Sequence, residues 1–167
     1  ASSDPIAEAL TRYGTIGLQT RRRTVQRLVA DDGITYGGGH GDTGARPWLL
    51  DPLPLVLGAD EWARLERGLD QRARLLDALF TDLLGPRRVL TERILPAELV
   101  AGHAGFLPPA HGIDLPGGRK LPLIATDLAR SVDGEWLVVS DRTQAPSGAG
   151  YAIANRRIIS RAMESIH

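Results

Sequence analysis

Between residues 60 and 84 the apolar positions Trp62, Leu65, Leu69, Ala73, Leu76, Phe80 and Leu83 recur at intervals of three and four. That spacing lines one face of an α-helix. Asp60 is the expected cap at its start, and Gly85-Pro86 ends it, since proline cannot continue the hydrogen-bond ladder. Arg64, Arg67, Arg72 and Arg74, interleaved with Glu66, Asp70 and Asp77, fall off the stripe and predict a solvent face, so this helix reads as scaffold. A second helical stretch runs over residues 4–32, with Pro5 after the cap Asp4 and with Leu10, Leu18, Val25, Leu28 and Val29 as apolar positions. Gly14 and Gly17 predict a break within it, and Gly33 suits its C-terminal cap.

The rest of the chain reads as shorter elements. Ile34-Thr35-Tyr36 is a strand candidate. Trp48 to Leu57 is apolar, but Pro52 and Pro54 would each remove a ladder donor, so the segment is expected to be extended and packed or an edge strand. A helical turn is expected from Pro96 to Val100. From 121 to 141 two strand-like runs flank Ser131-Val132-Asp133-Gly134, which predicts a hairpin with an Asp-Gly turn. Setting Arg130 opposite Glu135 places Arg130, Leu128, Leu137, Val139 and Asp141 on one face and Asp127 on the other. A slip of one residue would bring Asp127 beside Asp141. The last helix is expected from Tyr151 to Glu164, packing through Ile153, Ile158, Ile159 and Met163. The predicted fold class is α/β (mixed α+β): N-terminal helices on a mixed sheet that contains the 121–141 hairpin. Residues 1–118 form a helix-rich region, and 119–167 form a hairpin, loop and helix.

Composition narrows the function classes. Twenty basic and twenty acidic residues cancel, which argues against a nucleic-acid coat or a polybasic membrane tether. The absence of cysteine excludes disulfides, thiolate nucleophiles and cysteine-bound zinc. No apolar run reaches the roughly 20 residues that span a bilayer. A soluble, cytoplasmic protein with no nucleic-acid or membrane partner is expected. Nineteen glycines and eleven prolines imply long shaped loops.

Several polar clusters read most simply as structural. Arg21-Arg22-Arg23 with Arg27 is expected to be a solvated helix face, and Gly37-Gly38-Gly39-His40-Gly41-Asp42 a surface loop, because no helix follows it to form a phosphate cradle. His103 and His111, with Asp114 nearby, are expected to be hydrogen-bonded loop groups, and Gly117-Gly118-Arg119-Lys120 a turn. The run from Asp141 through Arg142, Gln144, Ser147, Gly148, Gly150 and Tyr151 to Asn155 and Arg156 is different. An acid at a strand end can ligate magnesium through oxygen, and Asn155 offers a neutral oxygen. Arg142, Arg156 and Arg130 offer planar donors to phosphate, and the backbone of Ser147 to Gly150 offers N–H groups. Structural ion pairs and an ordinary turn account for the same residues equally well, and the spacing alone leaves both readings open.

Four segments together resemble one family: Asp32 to Tyr36, Arg46 to Leu55, Gly105 to Gly112, and Asp141 through Arg156, the last containing Asp-Arg-Thr-Gln-Ala-Pro-Ser-Gly-Ala-Gly-Tyr. In that order they look like the front part of the circularly permuted ATP-grasp proteins, bacterial relatives of glutathionylspermidine synthase. The resemblance implies the N-terminal part of a ligase that uses ATP and Mg2+ to activate a small-molecule or peptide carboxylate as an acyl-phosphate and join it to an amine. It implies Asp141 and Arg142 as catalytic groups, Asp141 and Asn155 as metal ligands, and Arg130, Gln144, Ser147, Gly148, Tyr151 and Arg156 as nucleotide contacts. The family sets a glutamate before the Asn-Arg pair, where Ala154 stands here. The family also continues well beyond the position of His167 into segments that supply much of its nucleotide pocket. The chain is therefore expected to be incomplete alone: a fragment, one half of a split protein or a degenerate stand-alone version, with the remainder of the fold or a second copy as partner. The alternative is a binding or assembly module that keeps the fold without turnover.

Overall fold

The computed structural model describes residues 5–37 and 44–163. Asp4, the Leu10 side chain, the glycine loop at 38–43 and Glu164 lie outside the described residues. The protein combines helices with small antiparallel sheets in two compact units, one made of Ala1–Leu57 with Ser147–His167, the other of Gly58–Pro146. This division by packing does not follow the 118/119 division read from pattern.

In the first unit, helix α1 (Pro5–Asp31) bends at Gly14, whose φ of 58° and ψ of 179° interrupt the helical backbone. Only glycine holds that conformation without strain, so the expected break is present. Gly33, at φ 63°, turns the chain out of α1, and its N–H donates to the Ala30 carbonyl. Strands β1 (Thr35–Tyr36) and β2 (Arg46–Pro47) then pair antiparallel. Residues 48–57 form no regular element, in keeping with their two prolines. Val25, Leu28 and Val29 of α1 close a core against Ile158 and Ala162 of the last helix, α5 (Gly148–Ala162), and against Met163. Trp48, Leu50 and Ile34 pack around its margin. Each fully buried aliphatic side chain stabilises the fold by about 1.5–3 kcal/mol relative to exposure. α5 begins three residues before the expected Tyr151, because glycines at 148 and 150 tolerate the first helical turn.

The second unit is built on α2 (Ala59–Leu84). Its cap is Gly58, whose carbonyl accepts the Trp62 N–H; the expected cap, Asp60, lies inside the first turn. The supposed solvent face is partly engaged. Asp77 Oδ1 accepts the backbone N–H groups of Lys120 and Leu121 at 2.8 and 2.7 Å, and Asp82 accepts those of Arg88 and Val89 at 3.1 and 3.0 Å. Asp82 thereby anchors the short helix α3 (Arg88–Thr91); α4 (Ala97–Ala101) and a 3-10 turn at Pro108–Ala110 follow. The hairpin pairs β3 (Ala125–Arg130) with β4 (Trp136–Arg142).

The hairpin register differs from expectation in two ways. Arg130 lies opposite Trp136, not Glu135. Ser131 N–H bonds the Glu135 carbonyl and Gly134 N–H bonds the Ser131 carbonyl, so the connection takes in Glu135, with Gly134 at φ 84°. A turn followed by a left-handed glycine is a usual hairpin connection of this length. The second difference is a bulge. Leu128 pairs with Val138 and Asp127 with Ser140, which leaves Val139 unpaired. One extra residue reverses which later side chains share a face. Without it Ser140 would join Trp136 and Val138; with it Asp141 does, opposite Thr126. Asp127 accordingly stays on the other face with Ser140 and Arg142.

Candidate functional site

Within the second unit the hairpin carries one acidic centre on each face. On the α2 face, Asp141 accepts three donor contacts from Arg72: Nε to Oδ1 at 3.0 Å, Nε to Oδ2 at 2.8 Å and Nη2 to Oδ2 at 2.6 Å. Thr126 Oγ1 donates to Oδ1 at 2.9 Å. The Asp141 side chain is 12% exposed and the Arg72 side chain 41%. The Arg72 hydrogen bonds, outweighing burial and helped by Thr126, hold the Asp141 carboxyl below the ordinary carboxylate value. Arg72 was not foreseen as a site residue. Its position among other charges on a helix resembled a solvated face, and its partner lies 69 residues away.

On the opposite face, Ser140 Oγ donates to Asp127 Oδ2 at 2.7 Å, and Arg142 Nη2 donates to Oδ1. Ser140 first, then Arg142, hold the Asp127 carboxyl below its usual range, and the nearby Asp141 charge opposes them. Arg142 remains largely exposed, with donors left for an anion. Arg130 is the partner of Glu61, which also accepts from Trp136 Nε1 at 2.7 Å, and its guanidinium sits 5.1 Å from the Trp136 ring centroid. Gln144 is exposed in the loop after β4.

The remaining predicted residues belong to the first unit. Ser147 precedes α5, with no side-chain cap bond, and Gly148 opens the helix. The first N–H groups of any helix lack carbonyl partners within it, so this turn presents donors. Tyr151 Oη donates to the Thr35 carbonyl at 2.8 Å, and its ring stacks on Trp48 at 4.4 Å between centroids. Asn155 Oδ1 accepts Trp48 Nε1–H at 2.8 Å. Arg156 is exposed on α5, whereas Arg157 pairs with Asp32 at 2.8 Å. The predicted residues thus fall in two groups: Arg130, Asp141, Arg142 and Gln144 in one unit, and Ser147, Gly148, Tyr151, Asn155 and Arg156 in the other.

The candidate metal ligands do not fit magnesium as they stand. A guanidinium covers both oxygens of Asp141 and would repel a divalent cation, while the Asn155 oxygen already takes an indole N–H. Among the described residues no three His, Cys, Asp or Glu side chains gather to hold an ion. His103 Nδ1 accepts the Gly105 N–H at 3.0 Å, and Asp114 pairs with Lys120 at 3.2 Å. Among the described residues no helix is long and apolar enough to cross a membrane.

Comparison with known proteins gives these groups a setting. The family model for circularly permuted ATP-grasp type 2 proteins matches residues 54–167. An uncharacterized protein of Mycobacterium bovis is 45% identical over 171 residues, covering 97% of this chain and 19% of that protein. An uncharacterized Synechocystis protein is 34% identical over 143 residues, covering 85% of this chain and 30% of its own length. One from Mycobacterium leprae is 34% identical over 149 residues, with coverages of 89% and 26%. The chain therefore spans less than a third of the length of these relatives.

Proposed function

Because the chain belongs to the circularly permuted ATP-grasp type 2 family, we propose that it is part of an ATP-dependent carboxylate–amine ligase working through an acyl-phosphate. The family match carries this reading, since it spans the whole run from Asp141 to Arg156. ATP supplies the phosphoryl group that joins the acid's carboxylate; the amine then attacks the acyl carbon and phosphate leaves. Arg142 is the residue of this chain best suited to the anionic oxygens, being exposed at the strand end and fixed by Asp127. Arg156 and the N–H groups at Gly148 to Gly150 are proposed as further phosphate contacts. Arg130, Gln144 and Tyr151 are proposed to lie nearer the nucleotide. Asp141 acts through Arg72 and Thr126, and no step is assigned to a metal on it.

Likeness to glutathionylspermidine synthase extends the proposal to a peptide acid and a polyamine as the joined pair. The remainder of a longer fold is the proposed partner, and a cytoplasmic setting follows from the need for ATP. A second reading, a module that binds without turnover, is favoured by the arginine on Asp141 and by Ala154.

The test uses the protein at its natural full length, with ATP, a panel of amino acids and glutathione, and either spermidine or hydroxylamine as the amine. Acid-dependent ADP formation together with a trapped hydroxamate is the expected result. Arg142→Met should lower it about 100-fold, as loss of one transition-state donor does. No acid-dependent ADP across the panel would overturn the ligase reading in favour of the second.

A further inference from the structure

The face of α2 that looks at the hairpin borders a cavity of about 680 Å³, lined by Arg72, Glu61 and Trp136 together with side chains that belong to neither acidic centre. Pockets that hold small organic ligands run from about 300 to 1,000 Å³. Its floor is apolar, made by Leu65, Leu69, Leu75, Leu128, Val138 and the Trp136 ring. Its charged groups are arranged by sign along α2. Arg72 borders it, with the Nε and Nη2 edge spent on Asp141 and Nη1 without a hydrogen-bond partner among the described residues. Gln71 stands beside it. Towards the hairpin turn are Glu61, already held by Arg130 and Trp136, and Glu135, which has no ion-pair partner among the described residues. Arg64, likewise without such a partner, stands between.

Gly68 also borders the cavity, in the middle of a 26-residue helix. Glycine is among the poorest residues for a helix interior, and here it is not required by packing: a Cβ built on it meets nothing within 4 Å. What the missing side chain leaves is open space over the apolar floor.

We propose that this groove binds a short apolar peptide, its free carboxylate on Arg72 and its amino end towards Glu135. Three features fix that chemistry. Asp141, itself fixed by the Thr126 hydroxyl, holds the Arg72 guanidinium in one orientation, which presents its remaining edge ready for a carboxylate. The unpaired acid at the other end matches an amine and leaves a simple fatty carboxylate half-recognised. The helix rises about 1.5 Å per residue, so Glu61 and Arg72 are about 16 Å apart along it. An extended chain advances about 3.3 Å per residue, which makes that span four or five residues.

The site does not require the ligase reading, because binding is measured without nucleotide. The probe is an N- and C-terminally free tetrapeptide of alternating leucine and alanine, titrated calorimetrically into the full-length protein. Saturable binding is expected, weakened at least tenfold by amidating the C-terminus and severalfold by acetylating the N-terminus. Glu135→Gln should reproduce the second loss and make the acetylated and the free peptide bind alike. Gly68→Leu should abolish binding while keeping or raising Tm, because leucine is the better helix former and fills the groove. No saturable binding at millimolar peptide would overturn the proposal, as would binding indifferent to Gly68→Leu. Decanoate binding as tightly as the peptide would overturn the assignment of the ligand. A lowered Tm in Gly68→Leu would also overturn it, showing the groove filled by the protein's own chain.

Discussion

Replacing Trp48 by phenylalanine keeps an aromatic ring against Tyr151 but removes the Nε1–H that Asn155 accepts at 2.8 Å. A hydrogen bond between neutral groups contributes about 1 kcal/mol net. The smaller ring gives up roughly 40 Å² of apolar contact, about another 1 kcal/mol at about 25 cal/mol per Å². The expected cost is therefore about 2 kcal/mol. Trp48→Ala also forfeits the stack on Tyr151 and leaves a void at the margin of the core, for about 3–4 kcal/mol. Asn155→Ala strands the indole N–H in a part-buried place and should cost about 1–2 kcal/mol. In the double variant Trp48→Phe/Asn155→Ala neither group is stranded, so the two single costs should exceed the double by about 1 kcal/mol. Urea unfolding followed by circular dichroism measures this without the fluorescence change that losing one of three tryptophans brings. Strict additivity, within about 0.3 kcal/mol, would refute the bond. It would also return the Asn155 oxygen to the pool of free ligands.

Three further outcomes are expected. Ile158→Ala, at a fully buried position, should destabilise the protein by about 3 kcal/mol in the same assay, while the exposed Ile153→Ala should cost under about 0.5 kcal/mol. Asp141 has a carboxyl value depressed in the folded state, so its contribution to stability is present above the ordinary value near 3.8 and is lost as pH falls through the depressed one. An acid titration should show the wild type losing stability there and Asp141→Asn losing less; parallel curves would contradict the pairing with Arg72. Carboxyl chemical shifts followed by NMR should likewise give Asp127 a midpoint below 3.8, and Ser140→Ala should raise it, since Ser140 is the largest cause of its depression.

Local patterns were readable where they depend on neighbours in sequence. The stripe from Trp62 to Leu83 gives α2 because helix periodicity is a property of one segment, and Asp133-Gly134 gives the hairpin because the turn needs glycine's left-handed conformation. The bulge at Val139 leaves no such trace. An apolar residue in an apolar run fits either alternation, and only pairing with β3 shows which side chain is extra. The site was harder still. Asp141 and Asn155 were recognisable as polar groups of interest, but their partners Arg72 and Trp48 lie 69 and 107 residues distant, where no spacing rule reaches. Arg72 looks like any helix-surface arginine until the fold supplies its acid.

The interleaving of the two units bears on how the chain comes off the ribosome. α1 is made well before α5, which supplies the surface that covers it, as the pairing of Asp32 with Arg157 across 125 residues illustrates. The stretch between, from Gly58 to Pro146, forms a compact unit of its own. A nascent chain would thus hold α1 with its apolar side uncovered until synthesis has passed Met163. Chaperone capture or premature aggregation should concentrate on that stretch.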